Sequence, residues 1–318
     1  MQNDTGGPTV DDRSNVSIAG MTHVSTCVGK VPFMTEPRPM AFGTILINAE
    51  SEQSLPRLLG VAEIIAARHL ALVVGLAVLP PSGMPAGVPG APDVVTYDGR
   101  QKTARADAGR LHRMFERMTA GKAFASEWRL DEAVGRNAVD ALIAQSRRAD
   151  LIVTSNVGED NFGGRPFHIA ERLIVETGRP VMLVPKSDVP ASCGRRVLVA
   201  WNGSRESARA VFDALPLLQT AQHVKLLQVD TSEPAPVSGL SEVEVRNMLA
   251  HHGVRATSEA LDLPRGTTAT ALISAVKAEN ADLLVMGGHG HWRFRELVLG
   301  GATHHVLRHM TVPVLMSH

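Results

Sequence analysis

Residues 281–285 read ADLLV, and residues 149–153 read ADLIV. Each run is followed by a second apolar run that contains a proline, RPVMLV at residues 179–184 in the earlier copy and VPVLM at residues 312–316 in the later one. The interval from the first alanine to the proline is 31 residues in one copy (149 to 180) and 32 in the other (281 to 313). Short runs of β-branched and aliphatic residues are typical of buried strands. Two matched strand pairs in the same order indicate an internal duplication.

The duplication extends toward the amino terminus of each copy. FGTILIN at residues 42–48 and VLVAWN at residues 197–202 are β-rich runs that end in asparagine. Twenty-one residues after each asparagine comes a histidine, His69 or His223, which opens another apolar run. This pattern predicts that Asn48 corresponds to Asn202 and that both histidines are surface residues at the start of a strand.

Between these strands, residues 54–68 and 205–220 carry apolar side chains at spacings of three and four, as amphipathic helices do. Alternating strands and helices imply a parallel sheet with helices on both faces. The sequence therefore predicts an α/β fold made of two doubly wound, Rossmann-like domains in tandem. Asp150 and Asp282, which precede strands, are predicted to cap turns by accepting backbone hydrogen bonds.

The predicted boundaries follow changes in composition. Residues 1–37 read as a flexible leader, residues 38–188 as the first domain and residues 193–318 as the second, with a polar linker at residues 186–196. Residues 80–99 are rich in proline and glycine and are predicted to form an irregular loop.

Composition and charge exclude several classes of partner. Hydrophobic residues make up 44% of the 318-residue chain, and 32 Lys and Arg balance 32 Asp and Glu, which argues against nucleic acid or a membrane surface as a partner. Residues 58–79 are apolar, but Glu63 and Arg68 among them favour a helix and a buried strand over a membrane span. Cys27 and Cys193 are the two cysteines, and such sparse, separated thiols predict a cytoplasmic protein.

The most chemically suggestive stretch is MGGHGHWRFRELVLGGATHHVLR at residues 286–308. Gly287 and Gly290 are separated by two residues at the end of a predicted strand, and after nine more residues Gly300 and a further glycine precede a predicted helix at residues 302–309. In open α/β sheets, ligands bind beyond the carboxyl ends of the strands, where glycine lets backbone N–H groups approach phosphate. The pattern favours a phosphate-containing ligand.

This spacing resembles that of the universal stress protein family, whose ATP-binding members carry glycine, two residues, glycine, nine residues, glycine, and then serine or threonine. The resemblance covers nearly the whole chain after the leader, and it includes AWNGSRESARA at residues 200–210. One departure is that Gly301 stands in place of the serine or threonine, so that Thr303 is left to offer a hydroxyl to phosphate instead.

The resemblance implies an ATP site in the second domain, with Mg²⁺ as a possible companion ion. Its residues would come from strand ends and from the glycine loop: Asn202, Gly203, Ser204, Val229, Gly287, Gly288, His289, Gly290, His291, Gly300, Gly301, Ala302 and Thr303. Asn202 stands where the ATP-binding pattern has aspartate. In the first copy, Ser155 to Gly158 keep one glycine and Phe167-His168 replace the later glycine pair, so the first domain is expected to lack nucleotide and to serve as a structural partner.

The expected function is that of an ATP-binding regulatory protein that presents its loop to a protein partner as yet unknown. A slow ATPase using His289 or His291, and a nucleotide-free interaction module in which the glycines only form a tight turn, are the alternatives. Zinc is disfavoured, because the histidines between residues 289 and 309 match no known ligand spacing. A homodimer is expected through a free edge of the last strand, at residues 312–318.

Overall fold

The computed structural model describes residues 41–80, 94–156, 168–187, 191–230, 241–262, 267–288 and 301–318. In the first half of the chain, the elements are β1 (Thr44–Asn48), α1 (Leu55–His69), β2 (Leu72–Val78), α2 (Val94–Thr119), β3 (Ser126–Asp131), α3 (Ala138–Ser146), β4 (Leu151–Ser155), α4 (His168–Glu176) and β5 (Val181–Val184). In the second half, they are β6 (Arg196–Trp201), α5 (Arg205–Leu218), β7 (His223–Asp230), α6 (Glu242–His251), β8 (Ala256–Asp262), α7 (Thr268–Ala278), β9 (Leu283–Gly287), α8 (Gly301–His309) and β10 (Val314–Ser317).

The strands of the described residues form one ten-stranded sheet in the order β3-β2-β1-β4-β5-β10-β9-β6-β7-β8. Each half contributes five neighbouring strands, and the order within one half mirrors the order within the other. The strands run parallel within each half, whereas β5 and β10 are antiparallel where the halves meet. The predicted α/β fold with mostly parallel strands is confirmed.

Helices cover both faces of this sheet. Leu58 of α1 and Leu215 of α5 belong to the core on one face, which also includes residues of α2 and α6. Leu142 of α3 and Leu307 of α8 belong to the core on the other face, together with residues of α4 and α7. Strand side chains alternate between the two cores, which is why the central strands read as continuous apolar runs.

The two aspartates that precede β4 and β9 tie neighbouring strands together. The Asp150 carboxylate accepts hydrogen bonds from the backbone N–H groups of Gly43 and Thr44, both at 2.9 Å. The Asp282 carboxylate accepts from those of Arg195 at 3.1 Å and Arg196 at 2.9 Å. Both aspartates accept backbone hydrogen bonds, as predicted, but they tie two strands together and do not cap a turn. They occupy equivalent places in the two halves.

The register of the strands corrects one predicted correspondence. Ile45 pairs with Leu151, and Val197 pairs with Leu283, so β1 and β6 correspond with an offset of 152 residues (197 minus 45). The prediction that Asn48 corresponds to Asn202 was wrong, because that match needs an offset of 154 (202 minus 48). With the offset of 152, Glu50 instead takes the place of Asn202 (202 minus 152).

Two other local predictions were also wrong. His69 does not open a strand: it is the last residue of α1, it is buried, and its ring meets the Phe42 ring edge-on. Burial, together with the charge of Arg68, lowers the pKa of His69. His223, in contrast, begins β7 and is exposed, as predicted.

The other wrong prediction concerns the segment at residues 80–99. Its last part, residues 94–99, was predicted to belong to an irregular loop but forms the start of α2. Residues 81–93 lie outside the described residues.

The last strand has no free edge. β10 pairs with β9 on one side and with β5 on the other, through Leu315 opposite Met182. The expectation of a dimer through this edge was therefore wrong in its physical basis, because the first half of the same chain already occupies that edge. The outermost strands are β3 and β8.

The apolar stretch at residues 58–79 divides into most of α1 and all of β2, as predicted. Within the described residues, none of the helices has the length and apolar character needed to cross a membrane.

Candidate functional site

The candidate site lies at the carboxyl edge of the second half of the sheet, where β6, β7 and β9 end. Trp201 pairs with Gln228, so Asn202 and Val229 follow at the ends of adjacent strands. A methyl group placed on Gly287 would lie 2.6 Å from the carbonyl carbon of Glu206 and 2.6 Å from the backbone nitrogen of Ser207. The end of β9 therefore touches the first turn of α5, and the fold brings Asn202, Val229 and Gly287 to one place.

The turn from β6 into α5 has a well-defined local structure. The Asn202 side-chain oxygen accepts a hydrogen bond from the Ser204 backbone N–H at 3.2 Å, and Gly203 adopts a φ of +75°, which favours glycine. The Ser204 hydroxyl oxygen accepts from the Ser207 N–H at 3.1 Å and caps the helix. The turn thus directs the positive end of the α5 dipole toward the edge of the sheet.

Contacts within the protein explain why residue 287 is a glycine and what holds the backbone of Gly288 in place. Gly287 lacks the space for a side chain because α5 packs against it. The Gly288 N–H donates to the Ser317 carbonyl at 2.8 Å, and its carbonyl contacts Nδ1 of His318 at 2.9 Å. Asn156, its counterpart in the first half, makes the same bond to Val184 at 3.1 Å. The backbone N–H groups of Gly288 and Asn156 therefore extend the sheet in the same way in the two halves.

The rest of the predicted loop divides into two parts. His289, Gly290, His291 and Gly300 lie outside the described residues. Gly301 and Ala302 are exposed at the start of α8, and a methyl group placed on Gly301 would meet nothing within 4 Å. Thr303 of α8 is only 2% exposed.

The histidines of α8 have partners within the protein. Nε2 of His304 contacts the Glu171 carboxylate of α4, which links the two halves. The rings of His305 and His309 stack with their centroids 4.2 Å apart. Within the part of the chain that the structure describes, no three His, Cys, Asp or Glu side chains are grouped to hold a metal ion.

Glu206 is a charged neighbour of the site that the sequence patterns did not single out. It is 7% exposed, lies in the first turn of α5 and forms an ion pair with Arg205. Burial raises its pKa, but hydrogen bonds from Arg205, the backbone and Ser204 outweigh burial, so the pKa lies below its ordinary value. A polyphosphate at this edge would meet a negative charge that Arg205 balances in part. An acidic residue just after an Asn-Gly-Ser turn was the signal available in the sequence.

Comparison with known proteins places these features in a family. The model of the universal stress protein family matches residues 194–318. A universal stress protein of Thermus aquaticus is 32% identical over 134 residues, which cover 38% of this chain and 97% of that protein. A universal stress protein of Synechocystis sp. is 30% identical over 149 residues, which cover 46% of this chain, and the chain spans about half of that relative's length (49%).

A solved structure extends the likeness in fold to both halves. The crystal structure of a universal stress protein from Archaeoglobus fulgidus superposes on 86% of this chain and 98% of its own length, with a TM-score of 0.64 and 17% sequence identity. At that identity the likeness concerns the fold, and it includes the first half, which the family model does not reach. The family-model match in the second half and the 32% identity over nearly the full length of the Thermus aquaticus protein show that the chain belongs to the universal stress protein family.

Proposed function

We propose that the second half of the chain binds an adenine nucleotide, ATP with Mg²⁺, at the carboxyl edge of β6, β7 and β9, and that the protein is regulatory. The first half supplies structural support through the β5–β10 pairing. Nucleotide occupancy changes the shape of the loop from Gly290 to Gly300 and hence the surface offered to a protein partner. We place the protein in the cytoplasm because of its sparse cysteines.

One observation carries this proposal. The turn formed by Asn202, Gly203 and Ser204 lies beside Gly287, at the start of the loop with the family's glycine spacing, and the amino terminus of α5 opens at the same edge. Strand ends, a helix amino terminus and a glycine loop are the combination that binds phosphate in open α/β sheets.

A nucleotide-free interaction module is the second candidate, and a specific observation favours it. Packing against α5 accounts for Gly287, and the bond to Ser317 accounts for the backbone of Gly288, without any ligand. The charge of Glu206 beside Gly287 also disfavours a polyanion close to α5.

Isothermal titration with ATP and Mg²⁺ distinguishes the two candidates. A branched side chain at a glycine that approaches phosphate should weaken binding at least about tenfold, so we expect this loss for Gly290→Val. Gly109→Val is the matched control, since Gly109 lies in α2 of the first half and a methyl group there would meet only Arg113, at 3.6 Å.

Two results would count against the nucleotide site. Equal ATP affinity in the wild type and Gly290→Val would mean that the glycine loop does not contact phosphate. No ATP binding by the wild type would favour the nucleotide-free module.

A further inference from the structure

The two halves of the chain meet around a pseudo-two-fold axis between β5 and β10. Met182 lies opposite Leu315 in this antiparallel pair, so an offset of 133 residues (315 minus 182) relates counterparts in the two strands. The same offset carries α4 (His168–Glu176) onto α8 (Gly301–His309), at both ends of the helix. Residues of α4 and α8 whose numbers differ by 133 are therefore counterparts in the two halves.

One contact joins a pair of such counterparts across the axis. Glu171 of α4 corresponds to His304 of α8 (304 minus 171), and Nε2 of His304 contacts the Glu171 carboxylate. Around a two-fold axis between identical halves, this position would place two like side chains against each other. Here a carboxylate meets an imidazole instead, so the contact suits the pairing of the first half with the second.

Burial of the Glu171 carboxylate makes this contact a restraint on α8. The Glu171 side chain is 11% exposed, and the His304 side chain is 33% exposed. A carboxylate with so little access to water is costly to leave without a hydrogen-bonded partner. Movement of His304 away from α4 would impose that cost, so the contact restrains the first turn of α8.

A second bond reaches α8 from the first half, and its counterpart is missing in the second half. The Asn156 side-chain nitrogen donates to the Leu307 carbonyl at 2.8 Å, and Asn156 is 5% exposed. The counterpart of Asn156 is Gly288, whose backbone N–H makes the equivalent bond to the sheet. Glycine has no side chain with which to bond α4. The first half therefore holds α8 at a position where the second half cannot hold α4.

This asymmetry concerns the helix that ends the glycine loop. α8 begins at Gly301, and Gly301, Ala302 and Thr303 belong to the proposed nucleotide site. A site whose parts are in place for only a fraction of the time binds its ligand more weakly by that fraction. Contacts that keep α8 in place should therefore strengthen nucleotide binding without touching the nucleotide.

We propose that Asn156 and Glu171 are positioning residues for the nucleotide site of the other half, because they fix α8 against β4 and α4. The inference rests on the proposed function, since it concerns the affinity of that site for ATP. The first half then sets the affinity of the second half, in addition to providing the neighbouring strand β5.

Isothermal titration of the full chain with ATP and Mg²⁺ tests this role, at a temperature well below the melting temperature of every variant. Asn156→Ala removes the donor to Leu307, and Glu171→Gln removes the charge while keeping the shape of the side chain. Glu176→Gln is the matched control, because Glu176 lies on the same helix and its carboxylate pairs with Arg172 within α4.

We expect Asn156→Ala and Glu171→Gln each to weaken ATP binding about three- to tenfold, which is the range that a single hydrogen bond provides. Glu176→Gln should bind ATP as the wild type does. His304→Gln should weaken binding as much as Glu171→Gln, and combining the two should weaken it no further, because both remove the same contact.

Hydrogen exchange without any ligand provides a readout that does not depend on ATP. Peptides that cover residues 301–309 should exchange faster in Asn156→Ala and in Glu171→Gln than in the wild type, and at the wild-type rate in Glu176→Gln. Unchanged exchange in the first two variants would overturn the restraint on α8.

The titrations separate a failure of this inference from a failure of the proposed function. If the wild type binds no ATP, the proposed function fails and this inference fails with it. If the wild type binds ATP, wild-type affinity in Asn156→Ala or in Glu171→Gln would overturn this inference alone, even with a lowered melting temperature. An effect of His304→Gln without an effect of Glu171→Gln would also overturn it, because His304 would then act on the nucleotide directly.

Discussion

At the scale of single residues, the glycine at the end of β9 carries a clear physical constraint. A methyl group on Gly287 would overlap the backbone at Glu206 and Ser207, and backbone atoms cannot move aside as the tip of a flexible side chain can. We expect Gly287→Ala to lower the free energy of unfolding by about 1–3 kcal/mol, as overpacking does. Urea denaturation, followed by circular dichroism, measures this loss.

Gly301→Ala is the matched control, since a methyl group there would meet nothing within 4 Å. Its effect on the free energy of unfolding should stay within about 0.5 kcal/mol, as for other surface substitutions. Equal stability of the two variants would show that α5 does not press against β9 as described.

At the scale of elements, Asp131 joins the edge strand β3 to the following turn and to α3. Its carboxylate accepts hydrogen bonds from the Ala133 N–H at 2.9 Å, from Arg136 at 2.7 Å and from Gln145 at 2.9 Å. Burial raises the pKa of Asp131, but the bonds from Gln145, Ala133 and Arg136 outweigh it, so the pKa lies below the ordinary value. The folded state therefore stabilises the charged form of the Asp131 carboxylate more than the unfolded state does.

This lowered pKa predicts a dependence of stability on pH. The stabilisation is fully present above the unfolded pKa of about 3.9 and is lost as the pH falls through the lower folded value. We expect the free energy of unfolding of the wild type to exceed that of Asp131→Asn by about 1–3 kcal/mol at pH 7. This difference should shrink as the pH falls below about 4. Urea titrations at several pH values measure it.

Asp107→Asn serves as the control, since the Asp107 side chain is 47% exposed. This substitution should lower the free energy of unfolding by less than about 0.5 kcal/mol at pH 7. A difference between the wild type and Asp131→Asn that stays constant down to pH 3 would contradict the role given to the Asp131 carboxylate.

The elements also show what the sequence could and could not reveal. The strands beginning at Leu151 and Leu283 were predictable, because short apolar runs and the preceding aspartates mark them in both copies. The correspondence of Asn48 with Asn202 failed, because the register of β1 and β6 is set by their pairing with β4 and β9, which the sequence does not show, and the identical residue type suggested a different alignment. The burial of His69 was not visible, because it depends on contact with Phe42.

At the scale of the whole molecule, the two halves form one sheet and not two separate ones. The antiparallel pairing of β5 with β10 joins them, and the bond from Asn156 to the Leu307 carbonyl links the end of β4 to α8. Sequence patterns predict strands but not the pairing of distant edges, which is why the edge of β10 was expected to be free. The contact between Glu171 and His304 was missed for a similar reason, since the two residues come from elements far apart in the chain.

Nucleotide binding by the second half, and not by the first, is the central proposal. Hydrogen exchange of the full chain, measured by mass spectrometry with and without ATP and Mg²⁺, tests it most directly. We expect ATP to slow exchange in peptides that cover residues 200–207 and 286–303 and to leave residues 44–54 unchanged. Slower exchange at residues 44–54, or no change in any peptide at saturating ATP, would contradict the account.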